Sequence, residues 1–214
     1  MNCLVTAGPT FEPLDEVRRL TNFSTGRLGT EFANFLAARG HTVTLLIGVS
    51  ATWAGERRVQ RVDIFSTTND LRRRLKLFRT RKINAIFHAA AVSDFTFGTL
   101  FKRGPAGDLE PFRGSRKLST RGGSLLVELR PAAKIIAELR AWYPGALIVG
   151  WKYEADGGKA AAVRAARHQL ANCATDACVA NGPAYGEGFG LVTAKALKHF
   201  VDRARLFRAL EKLL

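Results

Sequence analysis

Short apolar runs alternate with amphipathic stretches along the whole chain. Residues 3–7 (CLVTA) form a continuous apolar run of strand length, and residues 43–47, 59–65, 83–91, 124–129, 146–151, 177–180 and 189–193 repeat that pattern. Segments of helical period lie between them. Residues 28–39 set Phe32, Phe35 and Leu36 on one face and stop at Gly40, a residue suited to closing a helix. Residues 70–79 direct Leu71, Leu75 and Phe78 inward, residues 131–141 start with Pro131 in a first-turn position, residues 157–172 are alanine-rich, and residues 202–213 close the chain. This order predicts an α/β, Rossmann-like fold with a largely parallel sheet flanked by helices. No repeat and no linker interrupts it, so residues 1–214 are expected to form a single domain. Residues 95–123 break the rhythm: rich in Gly, Pro and Arg and without sustained period, they read as a long flap loop, a kind of segment that usually carries function.

Composition adds little until charge is considered. No apolar run is long enough for a membrane span, and MNCLVTAGPT enters a strand without a basic leader, which predicts a cytoplasmic location. Cys3, Cys173 and Cys178 have no zinc-type spacing and read as small hydrophobes of a reduced compartment. The net charge of +15 is the anomaly, and it favours polyanionic partners. The basic residues are spread along the chain, with one cluster, Arg72-Arg73-Arg74, on the exposed face of a helix. No basic stripe is interleaved with aromatics, so nucleic acid is not the expected partner, and a basic nucleic-acid-binding protein stays an alternative.

In an open parallel sheet, ligands collect at the carboxyl ends of strands. Three segments fall there. The first runs from Gly8-Pro9-Thr10 to Asn22-Phe23-Ser24-Thr25-Gly26-Arg27, where glycines, hydroxyls and a helix N-terminus suit a phosphate. It is neither a Walker A loop nor a dinucleotide fingerprint, and the second strand ends Ile47-Gly48-Val49-Ser50 without the acid that an NAD site uses. The second segment is Ala89-Ala90-Ala91-Val92-Ser93-Asp94, small residues that leave room for a ligand beside a carboxylate able to hold a cation or a ribose hydroxyl. The third is Arg116-Lys117, a basic pair in the flap that could close over developing phosphate charge.

Together these segments resemble the phosphopantothenate–cysteine ligase (phosphopantothenoylcysteine synthetase) family of coenzyme A biosynthesis. Val5-Thr6-Ala7-Gly8-Pro9-Thr10 with Pro13, Val17-Arg18 and Asn22 to Arg27 looks like the family's opening motif, and Ala89 to Phe95 like its second. Weaker similarity continues at Lys117 with Gly122-Gly123, at Gly150-Trp151-Lys152-Tyr153-Glu154 and at Val179-Ala180-Asn181. The resemblance implies a two-step reaction: a nucleoside triphosphate activates the carboxylate of 4′-phosphopantothenate, and the amine of L-cysteine then displaces the nucleotide. It assigns catalytic roles to Asn22, toward the acyl group, and to Lys117, toward the activated phosphate. Substrate binding falls to Gly8, Thr10, Ser24, Thr25, Gly26, Arg27, Ala90, Ala91 and Asp94. Nucleotide binding falls to Ala89, Asp94, Lys117, Trp151 and Lys152. ATP or CTP with Mg²⁺ is implied, as is a homodimer, and no FMN is expected; the metal ligands are unassigned. Two lysines that CTP-using bacterial members carry on the helix before the Val-Ala-Asn strand are Gln169 and Cys173 here. That departure leaves ATP against CTP open, and with it the alternative of a catalytically impaired ligase-like nucleotide-binding module.

Overall fold

A computed structural model describes residues 1–104, 106–112, 117–119 and 123–214. Its centre is an eight-stranded sheet of strands β1 (Asn2–Ala7), β4 (Thr42–Gly48), β5 (Arg61–Phe65), β6 (Ala85–His88), β10 (Leu147–Tyr153), β11 (Ala177–Asn181), β12 (Phe189–Thr193) and β13 (Leu197–Phe200). The spatial order is β13-β12-β11-β10-β6-β1-β4-β5. The six strands from β11 to β5 are parallel, and β12 and β13 add an antiparallel edge. The α/β reading is correct, with strand ends trimmed and β13 as an addition.

The inner parallel strands are near-continuous apolar runs because both sheet faces are covered, whereas β5, at the edge, keeps Arg61 and Asp63. On one face, α1 (Arg27–Ala38) and α5 (Arg203–Glu211) pack Phe32, Leu36, Leu206, Phe207 and Leu210 onto Cys3, Val5, Val43, Leu45 and Phe87. Phe32 meets the ring of Phe87 edge-on at 4.7 Å and that of Phe207 at 5.1 Å. Aromatic pairs of this kind add ~0.5–1.5 kcal/mol each beyond the area they bury. On the other face, α2 (Thr68–Leu77) and α3 (Ile135–Trp142) pack Leu71, Leu75, Ile135 and Leu139 onto Leu4, Leu46, Ile86 and Ile148. There α4 (Gly158–Cys173) also covers Cys178, Ala180 and Val192 with Ala162, Val163 and Ala166.

Two expectations need correction. Residues 95–123 are not one irregular flap loop: β7 (Phe95–Arg103) and β8 (Leu109–Phe112) pair antiparallel, and β7 also pairs with β9 (Leu125–Pro131). The alternation is hidden because most of β7 is half-buried on both sides, and Gly98 and Pro111 punctuate the strands. Pro131 does not open a helix either. It ends β9 opposite Phe95, and α3 starts at Ile135 behind Lys134. Arg116 and Gly122 lie outside the described residues.

Candidate active site

β1 and β6 are parallel neighbours, so their carboxyl ends emerge side by side. The chain then keeps them together. The N–H of Ala91 donates to the Gly8 carbonyl at 3.0 Å, and the N–H of Thr10 donates to the Ala91 carbonyl at 3.1 Å. The Thr10 hydroxyl accepts the N–H of Ser93 at 2.9 Å and shares a hydrogen bond with Thr68 at 3.1 Å. Thr10 is fully buried. Its hydroxyl therefore joins three loops, and does not face the crevice as the sequence reading has it.

Asn22 follows a small hairpin, β2 (Phe11–Pro13) with β3 (Arg19–Thr21). The Thr21 hydroxyl donates to the Thr10 carbonyl at 2.9 Å, which fixes the hairpin's exit. From there Asn22 reaches back: its Nδ2 donates to the carbonyls of Ala91 and Val92, 3.3 Å each. The first and second segments thus meet through a side chain that is itself exposed. Phe23, next to it, projects wholly into solvent.

Gly26 caps α1 with φ +79°, a conformation that L side chains rarely adopt, so glycine is needed to turn the loop into the helix. The first turn of α1 offers N–H groups without intrahelical partners to the same crevice. Thr25 Oγ1 accepts the N–H of Arg27 at 3.3 Å, and Ser24 is half-buried. Arg27 is exposed and pairs with Glu31 at 2.7 Å.

The second segment rests on a polar pair that sequence reading missed. Thr6 Oγ1 accepts the N–H of Ala90 at 3.1 Å and meets His88 Nδ1 at 2.9 Å. Burial pushes the His88 imidazole down to about 4, so it is neutral at physiological pH. Both residues read as ordinary strand positions, and nothing local marks them. Asp94 is exposed, and its backbone carbonyl accepts the N–H of Ala132 at 2.8 Å. Glu12, buried in β2, accepts the N–H of Thr68 at 3.1 Å.

Lys117, between β8 and β9 in the chain, is exposed. Leu118 beside it is buried and held by the β2–β3 turn: its N–H donates to Asp15 Oδ2 at 3.0 Å, and its carbonyl accepts from Arg18 Nη1 at 3.2 Å. The third segment is therefore brought to the first. Asp15, which the sequence reading did not single out, is an acid of the turn: its Oδ1 also accepts the N–H groups of Val17 and Arg18.

Trp151 and Lys152 lie just before Tyr153, the last residue of β10. Trp151 packs on the α1 face, its buried Nε1 unpartnered among the described residues. Lys152 lies 4.0 Å from Glu154. Gln169 and Cys173 face inward from α4, and Gln169 Nε2 donates to Cys178 Sγ at 3.3 Å. Its amide occupies the space a side chain at Gly150 would need, 1.9 Å from an added Cβ. Among the described residues no group of three or more His, Cys, Asp or Glu side chains is placed to hold a metal, and no helix is long and apolar enough to cross a membrane.

In a doubly wound α/β fold the crevice between the carboxyl ends of β1 and β6, where the strand order reverses, is the place where ligands collect. The chain belongs to the family described as DNA/pantothenate metabolism flavoprotein C-terminal domain, whose model matches residues 1–211. It is 34% identical over 154 residues to a protein named cysteine/cysteine sulfinic acid decarboxylase from an unidentified prokaryote, covering 71% of this chain and 38% of that protein. It is 31% identical over 179 residues to the coenzyme A biosynthesis bifunctional protein CoaBC of Thermococcus kodakarensis, covering 83% of this chain and 40% of that protein. The chain thus spans about two-fifths of the length of these relatives. Among solved structures, the DNA/pantothenate metabolism flavoprotein of Streptococcus pneumoniae shares the fold at a TM-score of 0.84 and 24% identity, covering 100% of this chain and 97% of that one. A Cab2 mutant in complex with phosphopantothenate-cysteine shares it at 0.70 and 18%, covering 99% and 88%.

Proposed function

We propose that the chain is a nucleotide-dependent ligase that joins 4′-phosphopantothenate to L-cysteine in coenzyme A biosynthesis. The observation that carries this reading is the bond from Asn22 to the carbonyls of Ala91 and Val92, which unites the two most specific motifs of the sequence at one crevice. The CoaBC relative, named for coenzyme A biosynthesis, supports the same reading.

A carboxylate resists attack by an amine until it carries a better leaving group. In the first step a carboxylate oxygen of phosphopantothenate bonds to the α-phosphorus of the nucleotide, and pyrophosphate leaves. In the second, the cysteine amine bonds to the acyl carbon, the nucleoside monophosphate leaves, and the amine gives up a proton. Asn22 would exchange one of its two long Nδ2 bonds, to Ala91 or Val92, for a bond to the acyl oxygen as charge grows on it. The first turn of α1 with Ser24, Thr25, Gly26 and Arg27 is suited to the substrate phosphate. Ala90, Ala91 and Asp94 border the pantothenate part, while Lys117, Trp151 and Lys152 serve the nucleotide beside Ala89. Gly8 and Thr10 act by holding the loops. Mg²⁺ would arrive on the triphosphate, and the exposed carboxylate of Asp94 is an oxygen donor of the type this ion takes.

Gln169 and Cys173 place no cation in the site, which favours ATP over strict use of CTP. The solvent-facing ring of Phe23 beside Asn22 is surface that a second protomer would cover, in keeping with a homodimer. A cytoplasmic location and a single-domain unit belong to the same proposal. The test is nucleotide–pyrophosphate exchange with phosphopantothenate in the absence of cysteine. Exchange that depends on phosphopantothenate supports the first step, and its absence with ATP, CTP, GTP and UTP alike contradicts it.

A further inference from the structure

At the edge of the main sheet far from the crevice, β13 has no strand on its outer side among the described residues. α5 packs across β12 and β13, and between helix and edge strand lies a groove of about 740 Å³. Its floor is apolar, with Leu191, Phe200 and Ala209; its sides carry Lys198 from β13 and Arg205, Arg208 and Lys212 from α5. The three α5 residues stand at i, i+3 and i+7, one stripe about 10 Å long. Acids that could neutralise them are few. Asp202 lies 3.5 Å from Arg205, while Glu211 on the same helix is engaged by Arg39 at 2.9 Å and His41 at 3.6 Å. The ion pairs found among the described residues include none for Lys198, Arg208 or Lys212. This groove is a concentrated share of the +15 charge that the ligase reaction does not use.

We infer that the groove receives an acidic peptide segment in extended form, added beside β13 as a further strand. A free strand edge presents unpaired N–H and C=O groups, and strand addition satisfies them. Alternate side chains of a strand lie about 6.6 Å apart on one side, so carboxylates at every second position enter the groove and meet the cationic stripe, while the intervening apolar side chains lie on the opposite face of the sheet. A second copy of this chain does not suit the edge, because it would set Lys198 and the same stripe against themselves. A nucleic-acid strand suits it less well, because bases need exposed ring faces and Phe200 lies in the floor, packed on the core. The inference is independent of the ligase reading.

The test is fluorescence anisotropy of the full chain with three labelled probes: a decapeptide of alternating Glu and Val, the same peptide N-methylated at every second residue, and an oligouridylate. The account predicts saturable binding of the first peptide, weakened at least about tenfold by Arg208→Gln with Lys212→Gln, whose side chains are exposed and whose loss removes two cations. It predicts that N-methylation abolishes binding by removing ladder donors, whatever the behaviour of the variant. Absence of binding, equal binding of the methylated peptide, an unaffected double variant of unchanged circular dichroism, or tighter binding of oligouridylate each overturns it.

Discussion

Asp15 Oδ2 accepts the backbone N–H of Leu118 at 3.0 Å, across 103 residues of chain. The same carboxylate accepts from the Val17 and Arg18 amides and from the Arg18 guanidinium at 2.6 Å. The Leu118 amide first, and then these neighbours, hold it below the ordinary carboxylate range. One acid thus shapes the β2–β3 turn and clips the segment bearing Lys117 to it. Asp15→Ala removes the acceptor of the Leu118 amide and is expected to raise amide exchange at Leu118 and to lower kcat. Hydrogen-exchange mass spectrometry of the 117–119 segment is the check. Unchanged protection would show that the segment is held by other contacts.

Lys117→Gln separates two roles for the lysine. If it meets charge that grows on the reacting phosphate, kcat falls by orders of magnitude while nucleotide Kd hardly changes, because only interactions stronger in the transition state raise the rate. That is the predicted outcome. A weakened Kd with intact kcat would assign the residue to ground-state binding instead.

Asn22→Ala is expected to fold normally, since the side chain is exposed. Loss of an oxyanion-type donor costs ~3 kcal/mol, so amide formation is predicted to fall about a hundredfold or more. Steady-state turnover at wild-type level would remove Asn22 from the chemistry.

Much of this architecture is legible in the sequence. The apolar runs locate six parallel strands, and the spacing of Phe32, Phe35 and Leu36 gives the buried side of α1. The run Ala89-Ala90-Ala91 marks a strand end with room beside it. What escapes is set by contacts between distant residues or by strands too short to show a period. β2 and β3 have three residues each. β7 is half-covered on both sides and loses its alternation. Thr6 and His88 pair across 82 residues, and neither position looks polar in function when read alone.

The Thr6–His88 pair carries a pH signature. The folded protein holds His88 neutral down to about 4, whereas an unfolded chain protonates it near 6.5. Between those values the unfolded state binds the extra proton, so stability falls as pH drops from 6.5 toward 4 and levels off below. The shift corresponds to ~3 kcal/mol at most. Urea titrations across this window are predicted to show a slope that His88→Gln removes. An identical slope in the variant would place the acid sensitivity elsewhere.

The central claim is that this site makes an amide by way of an activated carboxylate. Its most direct measurement is mass spectrometry of the products formed from 4′-phosphopantothenate, L-cysteine and Mg²⁺ with ATP or CTP in turn. The account predicts phosphopantothenoylcysteine, with one pyrophosphate and one nucleoside monophosphate released per amide, and turnover with ATP that is not far below that with CTP. No amide with any nucleoside triphosphate, from protein whose fold is intact, would contradict it.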